Sequence, residues 1–399
     1  MVPHIITTSG ILLISSLLKT VCIFREKKGV KTINISYVCS LSFLKLQIMG
    51  KRYWNDYQKA IAKDHFFYER SCIRQTFFPG SEAAFLNILR NDLGLDIYDS
   101  SHQHTCTGIG YHTDVVPFET TMTIVARLFS LMTEKGYENY VPSCVTSFGI
   151  FTEMLEKWEE NPALLEQARE LLHKATGRTF KLPKNIAHPS DIIFSYRNEL
   201  KEKMKYQLVN RFTGKPLRVV EHIGCHYAKI FPKHGVGNAE FPYVLAGMIE
   251  AWGGEVVDYP ERRHCCGFGF RQYLVQENRG YSVANSRKKF ESMEPYEPDF
   301  IVANCPGCAM FLDKWQYTIA EMEHKTYDKE GYGIPVLTYE EMAGLLLGYD
   351  PWVLGLQLHQ VQCESLLNKI GIQYNPNEKY KGYDGKILPL PGKPSVLKV

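Results

Sequence analysis

Leu93-Gly94-Leu95-Asp96-Ile97-Tyr98-Asp99, with Cys106-Thr107-Gly108-Ile109-Gly110 a short way on, aligns without gaps on Trp252-Gly253-Gly254-Glu255-Val256-Val257-Asp258 and then Cys265-Cys266-Gly267-Phe268-Gly269. Both pieces follow a helical pattern, Ser81 to Asp92 in the first half and Glu240 to Ala251 in the second. The chain therefore repeats itself, and a repeat constrains architecture before any element is assigned. Each half reads as short apolar strands alternating with amphipathic helices, the pattern of parallel α/β units.

In the second half the expected strands are Leu217 to Ile223, Glu255 to Tyr259, Phe300 to Ala303 and Ile334 to Leu337. The last leads into Thr338-Tyr339-Glu340-Glu341, a capping-box sequence that starts a helix ending near Gly348. The first half spans 49–160, and a polar stretch with Pro162, Pro183 and Pro189 reads as a linker over 161–215. The second half follows over 216–374. Residues 375–399, rich in Tyr, Lys, Gly and Pro without periodicity, read as an extended or disordered tail. The lead, 1–48, shares none of the later periodicity. Its apolar run from Ile5 to Ile23 raises a signal peptide or membrane helix, but Lys19 interrupts it and no small-residue cleavage site follows. Met49 opens a stretch that reads like the start of a soluble protein, so the lead also reads as a mis-assigned start.

With 399 residues, 45% of them hydrophobic, the chain is long enough for two ordinary globular domains. A net charge of +3 without a sustained Lys/Arg run makes nucleic acid a poor partner. There are 11 cysteines, an odd count far from the density of a disulfide-stapled secreted domain. Cys22, Cys39, Cys72, Cys106, Cys144, Cys225 and Cys363 stand alone, and the other four form one adjacent pair and one C-x-x-C. That distribution indicates reduced thiols in a cytoplasm, some of them binding metal.

Cysteines follow three second-half strands: Cys225 the first, Cys265 and Cys266 the second, Cys305 and Cys308 the third. In an open parallel sheet the carboxyl ends of the strands face one common edge, where ligands bind. Five thiols are thus expected to converge. Cys305-Pro306-Gly307-Cys308 also opens a helix through Met310 to Glu321, and helix N-terminal amides favour the thiolate form that metals require. A structural zinc site is one rival, although zinc takes four ligands in a tetrahedron and sequence neighbours are awkward ligands for one small ion. A bare dithiol of thioredoxin type at Cys305 and Cys308 is another, and it leaves the Cys265-Cys266 pair unexplained. An adjacent pair is easier to use on different metal atoms of a cluster, and all-thiolate ligation is what iron–sulfur clusters use.

The pattern Gly224-Cys225, Cys265-Cys266-Gly267 and Cys305-Pro306-Gly307-Cys308 resembles the cysteine-rich CCG domain of the B subunit of heterodisulfide reductase. The resemblance runs from about Phe67 to Ile372 and includes Gly355-Leu356-Gln357 and His359, which fit the closing segment of that family. It implies an α/β fold of two pseudo-twofold-related cysteine-rich domains, each a small parallel sheet flanked by helices. It also implies a non-cubane [4Fe-4S] cluster on Cys225, Cys265, Cys266, Cys305 and Cys308, with one iron open to substrate sulfur. Partners implied are iron–sulfur and flavin subunits of a heterodisulfide-reductase-like complex and, in the sulfur-oxidising variant that the pattern favours, a lipoate-bearing or other sulfur-carrier protein. The expected activity is thiol–disulfide or related sulfur redox chemistry in the cytoplasm, with membrane association only through partners. An alternative is a non-catalytic electron-relay or membrane-docking subunit of a quinone-linked dehydrogenase.

The first domain departs from the pattern. It offers Cys72, Cys106 and Cys144, while Thr107 and Ser147 stand where the second cysteine of the pair and of C-x-x-C belong. A smaller iron–sulfur cluster, a zinc completed by His104 or His112, or vestigial packed cysteines are all open there. His222, His226 and His264 flank the second-half cysteines as candidates for contact with cluster or substrate, against a packing role. Arg262 and Arg263 could neutralise an anionic cluster or substrate, against solvated loop charges. Cys363 reads as a buried helix thiol. Gly235-Val236-Gly237 and Gly267-Phe268-Gly269 lack the third glycine of a dinucleotide site, so neither flavin nor nicotinamide is expected on this chain.

Overall fold

A computed structural model describes residues 65–103, 108, 110–230, 236, 242–268 and 279–375, together with short strands near either end of the chain. Numbering from the first of these residues, four strands of the first half are β1 (Phe66–Glu69), β2 (Ile97–Asp99), β3 (Asn139–Pro142) and β4 (Asn185–Ile186). The second half supplies β5 (Arg218–His222), β6 (Glu255–Val256), β7 (Phe300–Ala303) and β8 (Val336–Thr338). Both sheets are wholly parallel and share one order, second–first–third–fourth strand. The repeat in the sequence is a repeat of topology.

Helices flank both sheets. In the first half they are α1 (Cys72–Phe77), α2 (Pro79–Asn87), α3 (Phe118–Glu134), α4 (Val145–Glu160), α5 (Pro162–Thr176), α6 (Pro189–Ser195) and α7 (Arg197–Lys203). The second half adds α8 (Val244–Ala251), α9 (Arg279–Met293), α10 (Pro306–Glu323), α11 (Tyr339–Leu347) and α12 (Glu364–Ile370). Because helices flank the sheets, the central strands are largely buried: every residue of Phe66–Glu69 and Phe300–Ala303 is in the core. The expected capping box is present. Thr338 Oγ1 accepts from Glu341 N at 3.3 Å, Glu341 Oε2 accepts from Thr338 N at 2.7 Å, and the helix stops at Gly348 with φ 90°.

The stretch 161–215, read from sequence as a linker, is structured. Asn161 caps α5 by accepting from Leu164 N, Asn185–Ile186 pairs with β3 as the fourth strand of the first sheet, and α6 carries its own capping box between His188 and Asp191. Most of its charged residues are exposed, while His188, Ser190 and Asp191 are buried.

Residues Tyr53–Val399 form one compact unit, and Met1–Arg52 a second. Within the larger one, α2 packs on α11, and the buried Arg74 of α1 makes an ion pair with buried Glu340. Ser81 Oγ and Thr338 Oγ1 lie 2.7 Å apart across the same contact. In the smaller unit, Thr7–Thr8, Ile11–Ile14, Thr20–Lys27 and Val30–Asn34 pair in sequence order as antiparallel strands. The apolar run from Ile5 thus contributes strands, and among the described residues no helix is long and apolar enough to cross a membrane. In the tail, Tyr380–Lys381 and Ile387–Leu388 form a short antiparallel pair.

Candidate metal centre

The site lies at the carboxyl edge of the second sheet, where β5 and β7 run side by side to His222 and Ala303. Beyond β5, Gly224 N donates to Asn304 Oδ1 at 2.8 Å, tying the two strand ends together. Only glycine fits here, since a Cβ on Gly224 would sit 2.8 Å from Cys305 Cβ and 3.0 Å from Val145 Cγ2. Cys225 follows at once. Cys305 then occupies the N-cap of α10, with Pro306 at its first position, so Cys308 falls in the first turn of the helix.

The adjacent pair is held by a loop anchored from two sides. Glu221, buried in β5, accepts from Arg262 Nε at 3.0 Å, and Arg263 lies 3.7 Å from the same oxygen. From α9 the buried Lys289 ammonium donates to the carbonyls of Glu261 and Arg262 at 2.9 Å and of His264 at 3.4 Å, and lies 5.0 Å over the Tyr259 ring. Gly267 turns the chain with φ 88°, a conformation side chains disfavour, and a Cβ there would meet Ser282 O at 2.3 Å. Ser282 Oγ donates to Gly267 O at 2.6 Å and Ser286 Oγ to Cys266 O at 2.5 Å. In turn Gly267 N donates to Cys265 Sγ at 3.3 Å and Phe268 N to Cys266 Sγ at 3.4 Å, so backbone amides favour thiolate at both sulfurs.

All five expected cysteines line one cleft, with a cavity of about 30 Å³ between them. Cys266, Cys305 and Cys308 are buried, Cys225 and Cys265 half-buried. Hydrogen bonds from Cys265 and Cys308, and then from His222, hold the Cys266 thiol well below the ordinary thiol range, while the same hydrogen bonding raises Cys265 and Cys308 despite the amide at Cys265. His222, Cys266 and Cys308 place ligand atoms within 4.8 Å of one another. A single tetrahedral ion cannot use five sulfurs, whereas a multi-iron centre can, so the donor set fits an iron–sulfur cluster.

His226, His264 and Arg263 also line this cleft, and so do Val145 and Thr146 from the first half. Thr146 Oγ1 lies 2.7 Å from His226 Nδ1. Burial, and then the charge of His112, push the His226 ring down to about 4, so it stands neutral at physiological pH. His264 turns to Asn285 at 3.2 Å and Glu261 at 3.6 Å.

In the first half, Cys144 caps α4 after β3 and Cys72 begins α1 in an exposed position. Burial, and then the nearby Cys305, push the Cys144 thiol up to about 11, so it abuts the second-half site. His112 pairs with Glu153 at 2.9 Å. Cys106, Thr107 and His104 lie outside the described residues, as do Gly235 and Gly237; Cys363 is buried as expected. Sequence reading missed Lys289, Val145, Thr146 and Glu69. The first three are remote in sequence from the cysteines they serve. Glu69 carried a usable signal, because it precedes Cys72 by the same interval at which His222 precedes Cys225.

A cysteine-rich CCG domain model matches residues 219–313, the segment that holds all five cysteines. The B subunit of ferredoxin:CoB-CoM heterodisulfide reductase from Methanosarcina acetivorans is 28% identical over 312 residues, covering 76% of this chain and 95% of the relative. The membrane anchor subunit of 8-methylmenaquinol:fumarate reductase from Wolinella succinogenes is 27% identical over 42% of this chain and 54% of its own length. A crystal structure of a hypothetical protein from Helicobacter pylori superposes with a TM-score of 0.52 at 12% identity, over 82% of this chain and 62% of that one, a likeness of fold alone.

Proposed function

We propose, from the premise that residues 219–313 are a CCG cysteine-rich domain on a chain similar over most of its length to the B subunit of heterodisulfide reductase, that this protein is the iron–sulfur subunit of a related complex performing thiol–disulfide or sulfur redox chemistry. The observation that carries the reading is the convergence of Cys225, Cys265, Cys266, Cys305 and Cys308, from three strand ends, on one cleft. These residues would hold a [4Fe-4S] cluster, of the non-cubane type by resemblance, which when bound supplies one-electron redox chemistry next to a site for substrate sulfur.

The chain's own groups prepare that site. Amides of Gly267 and Phe268 donate to the Cys265 and Cys266 sulfurs, and Cys308 stands in the first turn of α10, whose amino end favours negative charge. Val145 and Thr146 of the first half form one wall of the cleft. Arg263 and His264 line the same cleft, where an arginine suits a substrate bearing acidic groups. A disulfide takes up two electrons and two protons to become two thiols. Electrons would come from partner subunits carrying iron–sulfur clusters or flavin, and the sulfur substrate from a carrier protein or small thiol.

Anaerobic purification followed by iron and sulfide analysis tests the reading. Several irons per chain, held by the second half, are expected. About one zinc with negligible iron after cluster reconstitution would overturn it.

A further inference from the structure

His222 ends β5 and is 3% exposed, so its imidazole has almost no access to water. The ring lies among the sulfurs: a ring nitrogen and the Cys266 and Cys308 sulfurs are within 4.8 Å of one another. Its Nδ1 has no hydrogen-bond partner. A buried polar nitrogen left bare is costly, and its retention calls for a reason.

The pseudo-twofold supplies a comparison inside the same chain. Glu69 pairs with Pro142, two residues before Cys144, just as His222 pairs with Ala303, two residues before Cys305. Ser147, which stands where Cys308 stands in the second half, donates from Oγ to Glu69 Oε1 at 3.4 Å. Where Ser147 stands, the strand ends in an accepting carboxyl group, with the thiols of Cys72 and Cys144 also nearby. Where Cys308 takes that place it ends in an imidazole, which can donate to sulfur. A carboxylate beside thiolates would repel them, whereas an N–H stabilises their charge.

We propose that His222 is a positioning residue of the metal centre, donating a ring N–H to the Cys266 sulfur and thereby holding that ligand in place and raising the midpoint potential of the bound cluster. The inference rests on the iron–sulfur reading of the site. Hydrogen bonds to ligand sulfurs withdraw negative charge from the centre and so favour its reduced form.

Reconstituted full-length wild type, His222→Leu, His222→Gln and His222→Asn are compared by iron and sulfide content, circular dichroism and optical redox titration. All should bind the wild-type amount of iron. The potential should fall in His222→Leu, recover most of the way in His222→Gln, which keeps an N–H of similar reach, and stay low in the shorter His222→Asn. A Leu variant with wild-type iron and wild-type potential overturns the inference. So does a Gln variant indistinguishable from Leu, or folded variants that all lose iron, which would make His222 a ligand. If the Leu variant does not fold, the contrast between Gln and Asn decides in the same way. Wild type without iron overturns the cluster reading and this inference with it, a result that metal analysis gives before any potential is measured.

Discussion

Thr146 Oγ1 and His226 Nδ1, 80 residues apart in sequence, stand 2.7 Å from each other and join the first half of the chain to the residue that follows Cys225. The contact makes the first half part of the second half's site. Thr146→Val should therefore reduce stability by about 1 kcal/mol, the usual net worth of one hydrogen bond, and speed iron loss to a chelator. Chemical denaturation and chelator kinetics measure both. Unchanged iron loss would show that the wall does not guard the centre.

Arg74 and Glu340 form a fully buried ion pair between the halves, with the Tyr339 hydroxyl 3.2 Å from Arg74 Nη2. Removing one partner strands a charge. Arg74→Met should cost about 3–5 kcal/mol, and adding Glu340→Leu should recover much of that loss. Equilibrium unfolding of the single and double variants gives the comparison, and a double variant no more stable than the single would contradict it.

His359 Nε2 lies 3.2 Å from Glu341 Oε1 in a buried setting. Burial alone would lower its pKa, but the charge and hydrogen bond of Glu341, with Asp313 beyond, push it up to about 9. A folded pKa above the unfolded value of about 6.5 means stabilisation is complete below pH 6.5 and lost as pH rises through 9. At about 1.4 kcal/mol per unit, the loss is on the order of 3 kcal/mol. Melting curves from pH 6 to 10 should show it, and His359→Gln should flatten the dependence.

Cys265→Ala, Cys266→Ala, Cys305→Ala and Cys308→Ala should each abolish the main visible absorption of the reconstituted protein. Cys72→Ala, at an exposed position in the other half, should leave it intact. Loss of the same signal in Cys72→Ala would mean that the centre draws on both halves.

Expression from Met49 should give protein with unchanged folding and iron content, because Met1–Arg52 forms a compact unit of its own. Insoluble or iron-free product would show that the lead supports the domains.

Much of this protein was legible in the chain alone, because the signals are local. Apolar runs of strand length, the Thr338–Glu341 capping box and cysteines placed just past strands Arg218–His222 and Phe300–Ala303 depend on residues close in sequence. Parallel topology then brings those cysteines to one edge, which is why five thiols could be expected to meet. Local signals also misled: the polarity of 161–215 suggested a linker, yet Asn185–Ile186 completes the first sheet, since two residues carry too little periodicity to announce a strand.

What the sequence determined, then, was two α/β repeats and which thiols the second would gather. Only the tertiary structure decided that Val145 and Thr146 wall the other half's cleft, that Lys289 fastens the loop before Cys265, and that a ring nitrogen of His222 lies beside the Cys266 and Cys308 sulfurs. Those relations span tens of residues and arise from how helices pack across sheets. Packing selects them by volume and hydrogen-bond satisfaction, and neither leaves a period in the sequence.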